Sequence, residues 1–156
     1  MLLTILLIEG FITISVEVLT IRQLTPFFGS SVLITSIIIG VFLLFLAIGY
    51  WSGGRHQQNY LTRLRFNFSC SLMWIGFGLS FTFINIYYHL TVNLLGIPSL
   101  LSLFLFLLLA LAPIVYWLGQ TVPIATNLFN QKQNISRISG SALFLSTIGS
   151  FLGAIL

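Results

Sequence analysis

Acidic residues are almost absent from this sequence. Its 156 residues include no aspartate and only two glutamates, Glu9 and Glu17. A catalytic triad oriented by a carboxylate therefore has no candidate acid apart from these two. Both lie in one apolar stretch near the N-terminus, so all of the negative side-chain charge is concentrated in the first predicted helix.

Cysteine and histidine are nearly as scarce. Cys70 is the single cysteine, which excludes a disulfide within the chain. His56 and His89 fall on opposite sides of the membrane in the topology predicted below, so they cannot share a metal ion. No glycine-rich loop follows a predicted strand, which leaves a nucleotide without a local site. We therefore expect a protein that is not an enzyme and that holds no cofactor or metal.

Charged residues of either sign make up only 5% of the chain, whereas apolar residues make up 58%. Soluble domains carry about 25% charged residues, so the composition indicates an integral membrane protein. The length suffices for about five helical spans of about 20 residues each, and it leaves no room for a soluble catalytic domain. The sequence predicts an all-α, polytopic helix bundle that forms a single transmembrane domain over residues 1–156.

Polar turns divide the chain into the predicted spans. Pro26 and the Gly-Ser-Ser after it close the first span, and Gly53 with Gly54 ends the second. The third is richer in serine, threonine, asparagine and glycine, which predicts an interior helix. Pro113 predicts a kink near the end of the fourth. The spans cover residues 2–23, 32–51, 66–86, 99–118 and 138–156.

Six basic residues outnumber the two acids, and all but Arg22 fall in two loops, 52–65 and 119–137. Basic loops of membrane proteins face the cytoplasm, so we expect both loops and the N-terminus to be cytoplasmic, in a bacterial inner membrane. Arg22, at the outer end of the first span, departs from this rule. Membrane topology accounts for the positions of the basic residues. We therefore expect the protein to contact the lipid bilayer and not to bind nucleic acid.

The two glutamates are the first candidates for a polar site inside the membrane. A charged side chain at the centre of a bilayer costs about 3 kcal/mol on insertion scales, so the bundle must shelter both. Eight residues of α-helix separate them by about 80° of net rotation and about 12 Å of rise, so both can face one interior. They are either structural groups, protonated or hydrogen-bonded, or the counter-charges of a cation or proton site.

Arg22 lies on the same predicted helix as the two glutamates. It lies about 140° around the helix from Glu17, so the two are not expected to pair. We expect each to meet a polar group on another helix, with the polar third span as the source for Glu17.

The last span carries small residues at helical spacing, which allow close contact between helices. We expect this face to form a helix-packing interface, either with a partner membrane protein or with the other spans of the same chain. Its residues are Ala142, Ser146, Gly149, Ser150 and Gly153.

Four segments, in this order, resemble the membrane domain that precedes the synthase domain in membrane-bound spermidine synthase-like proteins. The first contains Glu17 and Arg22 followed by Gly-Ser, and the second is a glycine-containing helix with a basic turn. The third is similar to the family's Pro…Gly-x-x-x-Pro run, and the last resembles its Asn-Thr-x-Gly-x-x-x-Gly helix. The segments are residues 17–24 with 28–31, 40–55, 113–123 and 146–154.

The resemblance implies a membrane fold without the family's soluble synthase domain. Of the family's residues, only Glu17 and Arg22 carry over as functional candidates, and we rank Glu17 first. Two positions depart from the family pattern, because Ser146 stands where asparagine is expected and Phe45 where glycine is expected.

Two functions remain open. The chain is expected to be a non-catalytic membrane subunit that packs with a partner membrane protein or a separately encoded synthase-like chain. The alternative is a small cation or polyamine transporter, or half-transporter, that uses Glu9 and Glu17 as counter-charges.

The predicted topology can be tested by labelling introduced cysteines in a variant in which Cys70 is replaced. Gln58→Cys should react with an impermeant thiol reagent from the cytoplasmic side only, and Asn93→Cys from the opposite side only. Modification of both from the same side would contradict the five-span topology.

Overall fold

The computed structural model describes residues 2–55, 59–129 and 135–155, and the side chains of residues 2, 3, 128, 129 and 135–139 lie outside this description. The described residues form helices joined by short connections, with no strand among them, which confirms the all-α prediction. His56 and Gln58, which the sequence analysis names, lie outside the described part, as do Lys132 and the side chain of Arg137 in the second basic loop.

Eight α-helices and two π-helical segments follow one another in the described residues. The π-helical segments are His89–Leu94, after α4, and Leu107–Leu111, between α5 and α6. The α-helices are α1 (Leu2–Phe28), α2 (Val32–Gly54), α3 (Tyr60–Gly78), α4 (Phe81–Tyr88), α5 (Ser99–Phe106), α6 (Ala112–Gly119), α7 (Thr121–Phe129) and α8 (Ile135–Ile155).

Several described helices qualify as candidate membrane spans. Three of them are long and apolar enough to cross a membrane: Thr4–Phe28, Val32–Gly54 and Ser99–Asn127. The pair Tyr60–Gly78 and Phe81–Leu94 passes only together and is bent by 57°, and Gly140–Ile155 is the part of α8 whose side chains are described. The described residues therefore contain three candidate spans, or four if the bent pair crosses once, and the number of about five stays a prediction.

The bend between α3 and α4 interrupts the predicted third span, residues 66–86. It follows Gly76 and Gly78, and glycine costs about 1 kcal/mol in a helix relative to alanine. At the end of α3, the Leu79 N–H donates to the Ile75 carbonyl at 3.1 Å, and the Ser80 N–H donates to the Phe77 carbonyl at 3.3 Å. These bonds end α3, and the chain continues in a different direction from Ser80.

The first helix is longer than predicted. It continues beyond residue 23 and includes Pro26 in its last turn. It ends at Gly29, whose φ of 90° is readily adopted by glycine and whose N–H donates to the Thr25 carbonyl at 2.9 Å.

Pro113 changes the helix that contains it without breaking it. Proline has no N–H to donate to the carbonyl four residues earlier, which here belongs to Leu109. The indole N–H of Trp74, on α3, donates to this carbonyl at 3.3 Å. The π-helical segment Leu107–Leu111 lies at the same place, and α5, this segment and α6 belong to one helical stretch, Ser99–Asn127, here called the rod. The kink at Pro113 stays a prediction.

One end of the bundle gathers the start of α1, the start of α3, α7 and the first half of α8. A single buried apolar cluster, here called the end cluster, joins these four helices. Its buried members are Leu6, Leu64, Ile124, Ala125 and Ala142.

The C-terminal end of α2 reaches this same end of the bundle. A Cβ atom on Gly53 would lie 2.8 Å from the Cα of Gln120, so the two backbones touch there. Arg55 follows α2, and Arg63 and Arg65 lie near the start of α3. We call this the basic end, and the N-terminus of α1 lies at it.

The first and last helices meet backbone to backbone along one line, here called the α1–α8 seam. A Cβ atom on Gly10 would collide with the Ser146 carbonyl, and one on Gly149 would collide with the Leu7 carbonyl. Farther along, a Cβ on Gly153 would collide with the carbonyl of Phe11. The small residues are required here because no side chain fits between the helices.

The seam accounts for the small-residue face predicted on the last span. Gly149 and Gly153 contact α1 directly, the Ser150 hydroxyl donates to the Gly10 carbonyl at 3.3 Å, and Ser146 also faces α1. Ala142 lies in the end cluster with Leu6 of α1. Of the two alternatives, the described residues show packing within the chain at this face.

Even a methyl group should disrupt the seam. Gly149→Ala places a Cβ against the Leu7 backbone, so we expect a loss of about 1–3 kcal/mol in unfolding free energy. Gly140→Ala, on the same helix, meets nothing within 4 Å and should stabilise the helix by up to about 1 kcal/mol. Thermal unfolding of the purified variants in mild detergent measures both, and equal melting temperatures would contradict the seam.

Candidate functional site

Glu9 lies inside the bundle, at the α1–α8 seam. Only 1% of its surface is exposed. The Thr13 hydroxyl, one turn along α1, donates to Glu9 Oε1 at 3.1 Å and to the Glu9 carbonyl at 2.8 Å. From α8, the Ser146 hydroxyl donates to Glu9 Oε2 at 3.2 Å. The seam brings Ser146 to the carboxyl group because Gly10, the next residue, lets the two backbones touch.

These two hydroxyls leave acceptor positions on Glu9 unused. A carboxylate can accept about four hydrogen bonds, and the two hydroxyl donors are neutral. Within the described residues, no basic side chain hydrogen-bonds to Glu9. An ionised Glu9 would therefore lack a neighbouring cation, so the group is suited to take up a proton or to bind a positively charged ligand.

An open recess of about 330 Å³ adjoins this carboxyl group. Ser146 forms part of its wall and lies between the recess and Glu9. Tyr50, from α2, also lines the recess. The recess is lined by Tyr50, Val122, Pro123, Thr126, Ala142, Leu143 and Ser146.

Glu17 and Arg22 lie apart from this site. Glu17 is half-buried on the same helix, about 12 Å farther along the axis, and it shares none of the hydrogen-bond partners of Glu9. Arg22 is exposed and borders a second recess of about 250 Å³, together with Ser15 and Gly153 near the end of α8. The structure does not bring the two glutamates to one place, and it favours Glu9 over Glu17, the residue ranked first from sequence.

The polar side chains of α3 do not serve Glu17 as expected. Asn67 is fully buried and its Nδ2 donates to Gln120 Oε1 at 3.0 Å, at the junction of α6 and α7. Ser71, one turn farther along α3, is also buried. The polar face of α3 is thus an interior face, as predicted, but it meets α6 and α7.

The two buried polar groups lie at similar depths below the basic end. Glu9 follows Leu6 by three residues on α1, and Asn67 follows Leu64 by three residues on α3. Leu6 and Leu64 belong to the same end cluster, and both helices start at the basic end. Each polar group therefore lies about 4.5 Å farther in than this apolar cluster.

Sequence analysis missed Tyr50 and Gln120 as site residues. Tyr50 falls at the end of the predicted second span, 32–51, and Gln120 falls in the predicted loop 119–137. A glutamine directly after a span and an asparagine inside another could have been paired by their amide chemistry, but 53 residues separate them. Within the described part of the chain, no group of three or more potential metal ligands of the His, Cys, Asp and Glu types comes together.

Comparison with protein-family models, with curated proteins and with solved structures found no match. The resemblance to the membrane domain of spermidine synthase-like proteins therefore stays a prediction.

The bond from Ser146 to Glu9 can be tested by removing the hydroxyl. Ser146→Ala leaves one buried carboxyl oxygen without its donor and should lower the unfolding free energy by about 1–3 kcal/mol. Thr147→Ala is the matched control, because its exposed hydroxyl donates only to the Leu143 carbonyl of its own helix. Thermal unfolding in detergent compares the two, and an equal effect would show that the bond contributes nothing specific.

Proposed function

We propose that the chain is an integral protein of a bacterial inner membrane, with its N-terminus in the cytoplasm. Three long apolar helices support this proposal. Large apolar side chains also cover the outside of the bundle, among them Leu43, Leu44, Phe66 and Phe77, each more than half exposed. The basic end carries Arg55, Arg63 and Arg65 together with the start of α1, which supports the orientation through the positive-inside rule.

Within that setting, we propose that Glu9 binds a cation, either a proton or a small protonated amine. The single observation that carries this proposal is the Glu9 carboxyl group, 1% exposed and held by two neutral hydroxyls. A carboxylate inside an apolar bundle requires a compensating charge, and ionisable groups at such depth mark ion and proton paths in membrane proteins.

The recess gives this cation a route to the carboxyl group. It is open to the outside of the bundle and its volume of about 330 Å³ admits an alkylamine. The ammonium group would reach Glu9 past the Ser146 hydroxyl, with the apolar stem against Val122, Pro123 and Leu143. Tyr50 supplies an aromatic ring at the entrance, and such rings attract cations. The function that fits is a small cation transporter or half-transporter, with a polyamine as the substrate class that the family resemblance adds.

A second candidate is a non-catalytic subunit of a membrane complex, with a partner membrane protein or a separately encoded synthase-like chain. The observation that favours it is Gly40, on α2. This glycine is exposed, and a Cβ atom there would meet nothing within 4 Å. A glycine on the outer face of an apolar helix allows a second helix to approach closely, and no helix among the described residues uses that place.

Glu9→Gln separates the two functions, because the amide keeps the shape and the hydrogen-bonding capacity but removes the charge. In mild detergent, we expect spermidine or putrescine to raise the melting temperature of the unaltered chain, since a ligand at 100 times its Kd stabilises by about 2.7 kcal/mol. Glu9→Gln should abolish this shift, whereas the matched control Glu17→Gln should retain it.

The same preparation tests the subunit. A defined complex with one partner, together with no amine-dependent shift in the unaltered chain, would favour the subunit over the transporter. An amine-dependent shift that persists in Glu9→Gln would overturn the assignment of the cation to Glu9.

A further inference from the structure

Four buried or half-buried polar side chains form a row between α3 and the α6–α7 junction. Arg63, Asn67 and Ser71 are spaced four residues apart on α3, so they lie on one face at intervals of about 6 Å. Gln120, at the α6–α7 junction, faces the middle of this row and accepts from Asn67 Nδ2 at 3.0 Å. The row starts at the basic end and extends about 12 Å into the bundle.

Each of these side chains has a buried atom without a hydrogen-bond partner in the described structure. The atoms are Arg63 Nε, Asn67 Oδ1, Gln120 Nε2 and Ser71 Oγ. Asn67, Gln120 and Ser71 are each at most 1% exposed. Buried polar atoms in folded proteins are almost always paired with protein or with ordered water, so four along one row indicate an occupant.

The unpaired atoms define the chemistry of that occupant. Asn67 Oδ1 requires a donor, Gln120 Nε2 requires an acceptor, and the Ser71 hydroxyl can be either. If the oxygen and nitrogen atoms of both amides are assigned the other way round, one amide oxygen and one amide nitrogen still lack a partner. The hydrogen bonds required of the occupant are therefore the same. A neutral molecule that donates and accepts at the same time satisfies this set, whereas a cation would face the Arg63 guanidinium.

We propose that a file of internal water molecules enters the bundle at the basic end and is bound by these four side chains. One water donates to Asn67 Oδ1 and accepts from Gln120 Nε2, and the waters on either side bond to Arg63 Nε and to the Ser71 hydroxyl. Each water then has between two and four polar partners, as buried waters in proteins do. The file brings solvent to the middle of α3 along a route separate from the recess at Glu9.

The reactivity of an introduced thiol tests this file, because a thiol ionises and reacts where water is present. In a Cys70→Ala chain in membrane vesicles, Ser71→Cys should react with a small charged methanethiosulfonate at least about tenfold faster than Leu72→Cys. Leu72 is the matched control, since it is the next residue on α3 and faces outward, with 58% of its surface exposed. Ser71→Cys exchanges only oxygen for sulfur, and size-exclusion chromatography verifies that the variant is folded.

Removing the two amides should empty the file. In the combined Asn67→Leu and Gln120→Leu background, the rate at Ser71→Cys should fall about tenfold, to that of Leu72→Cys. Equal rates at positions 71 and 72, or a rate at 71 that survives the loss of both amides, would overturn the proposal. If Ser71→Cys does not fold, Asn67→Cys is compared with Phe66→Cys at the exposed neighbouring position. Equal rates at positions 66 and 67 would also overturn the proposal.

Discussion

The backbone contact between α1 and α8 is the constraint on which the rest of the bundle depends. At Gly10, Gly149 and Gly153 a Cβ atom would collide with the facing backbone. This contact holds the last helix against the first. It also determines the surroundings of Glu9, because the close approach at Gly10 brings the Ser146 hydroxyl within 3.2 Å of Glu9 Oε2. The seam thus contributes both the packing of α8 and a hydrogen-bond donor for the buried carboxyl group.

Few hydrogen bonds tie the helices to one another. Most threonine hydroxyls donate to a carbonyl of their own helix three or four residues earlier, which satisfies them without a second helix. The side-chain pairs that cross between helices are therefore the ones that specify how the helices are oriented. Such pairs among the described residues include Glu9–Ser146, Ser52–Tyr116, Asn67–Gln120 and Thr91–Ser102.

The sequence predicted the class of fold and the α8 residues of the seam, but it did not predict Gly10 or which helices meet. Small residues at helical spacing identify a close-packing face whatever lies against it, so Gly149 and Gly153 could be found and α1 could not. The helices are apolar on nearly all sides. The spacing of apolar residues therefore does not show that Glu9 lies on a buried face of α1 and Glu17 at a half-buried position. The bend after Gly78 and the pairing of Asn67 with Gln120 depend on contacts between distant residues, which no local pattern contains.

Proline often makes a membrane helix flexible, because the carbonyl left without a donor allows the helix to swing at that point. Here the free carbonyl of Leu109 receives the indole N–H of Trp74, which belongs to a different helix. Any swing of the rod at Pro113 must break this bond or move α3 with it. The Trp74 indole therefore couples α3 to the rod at Pro113, and it adds to the coupling that the Asn67–Gln120 bond provides elsewhere between the same helices.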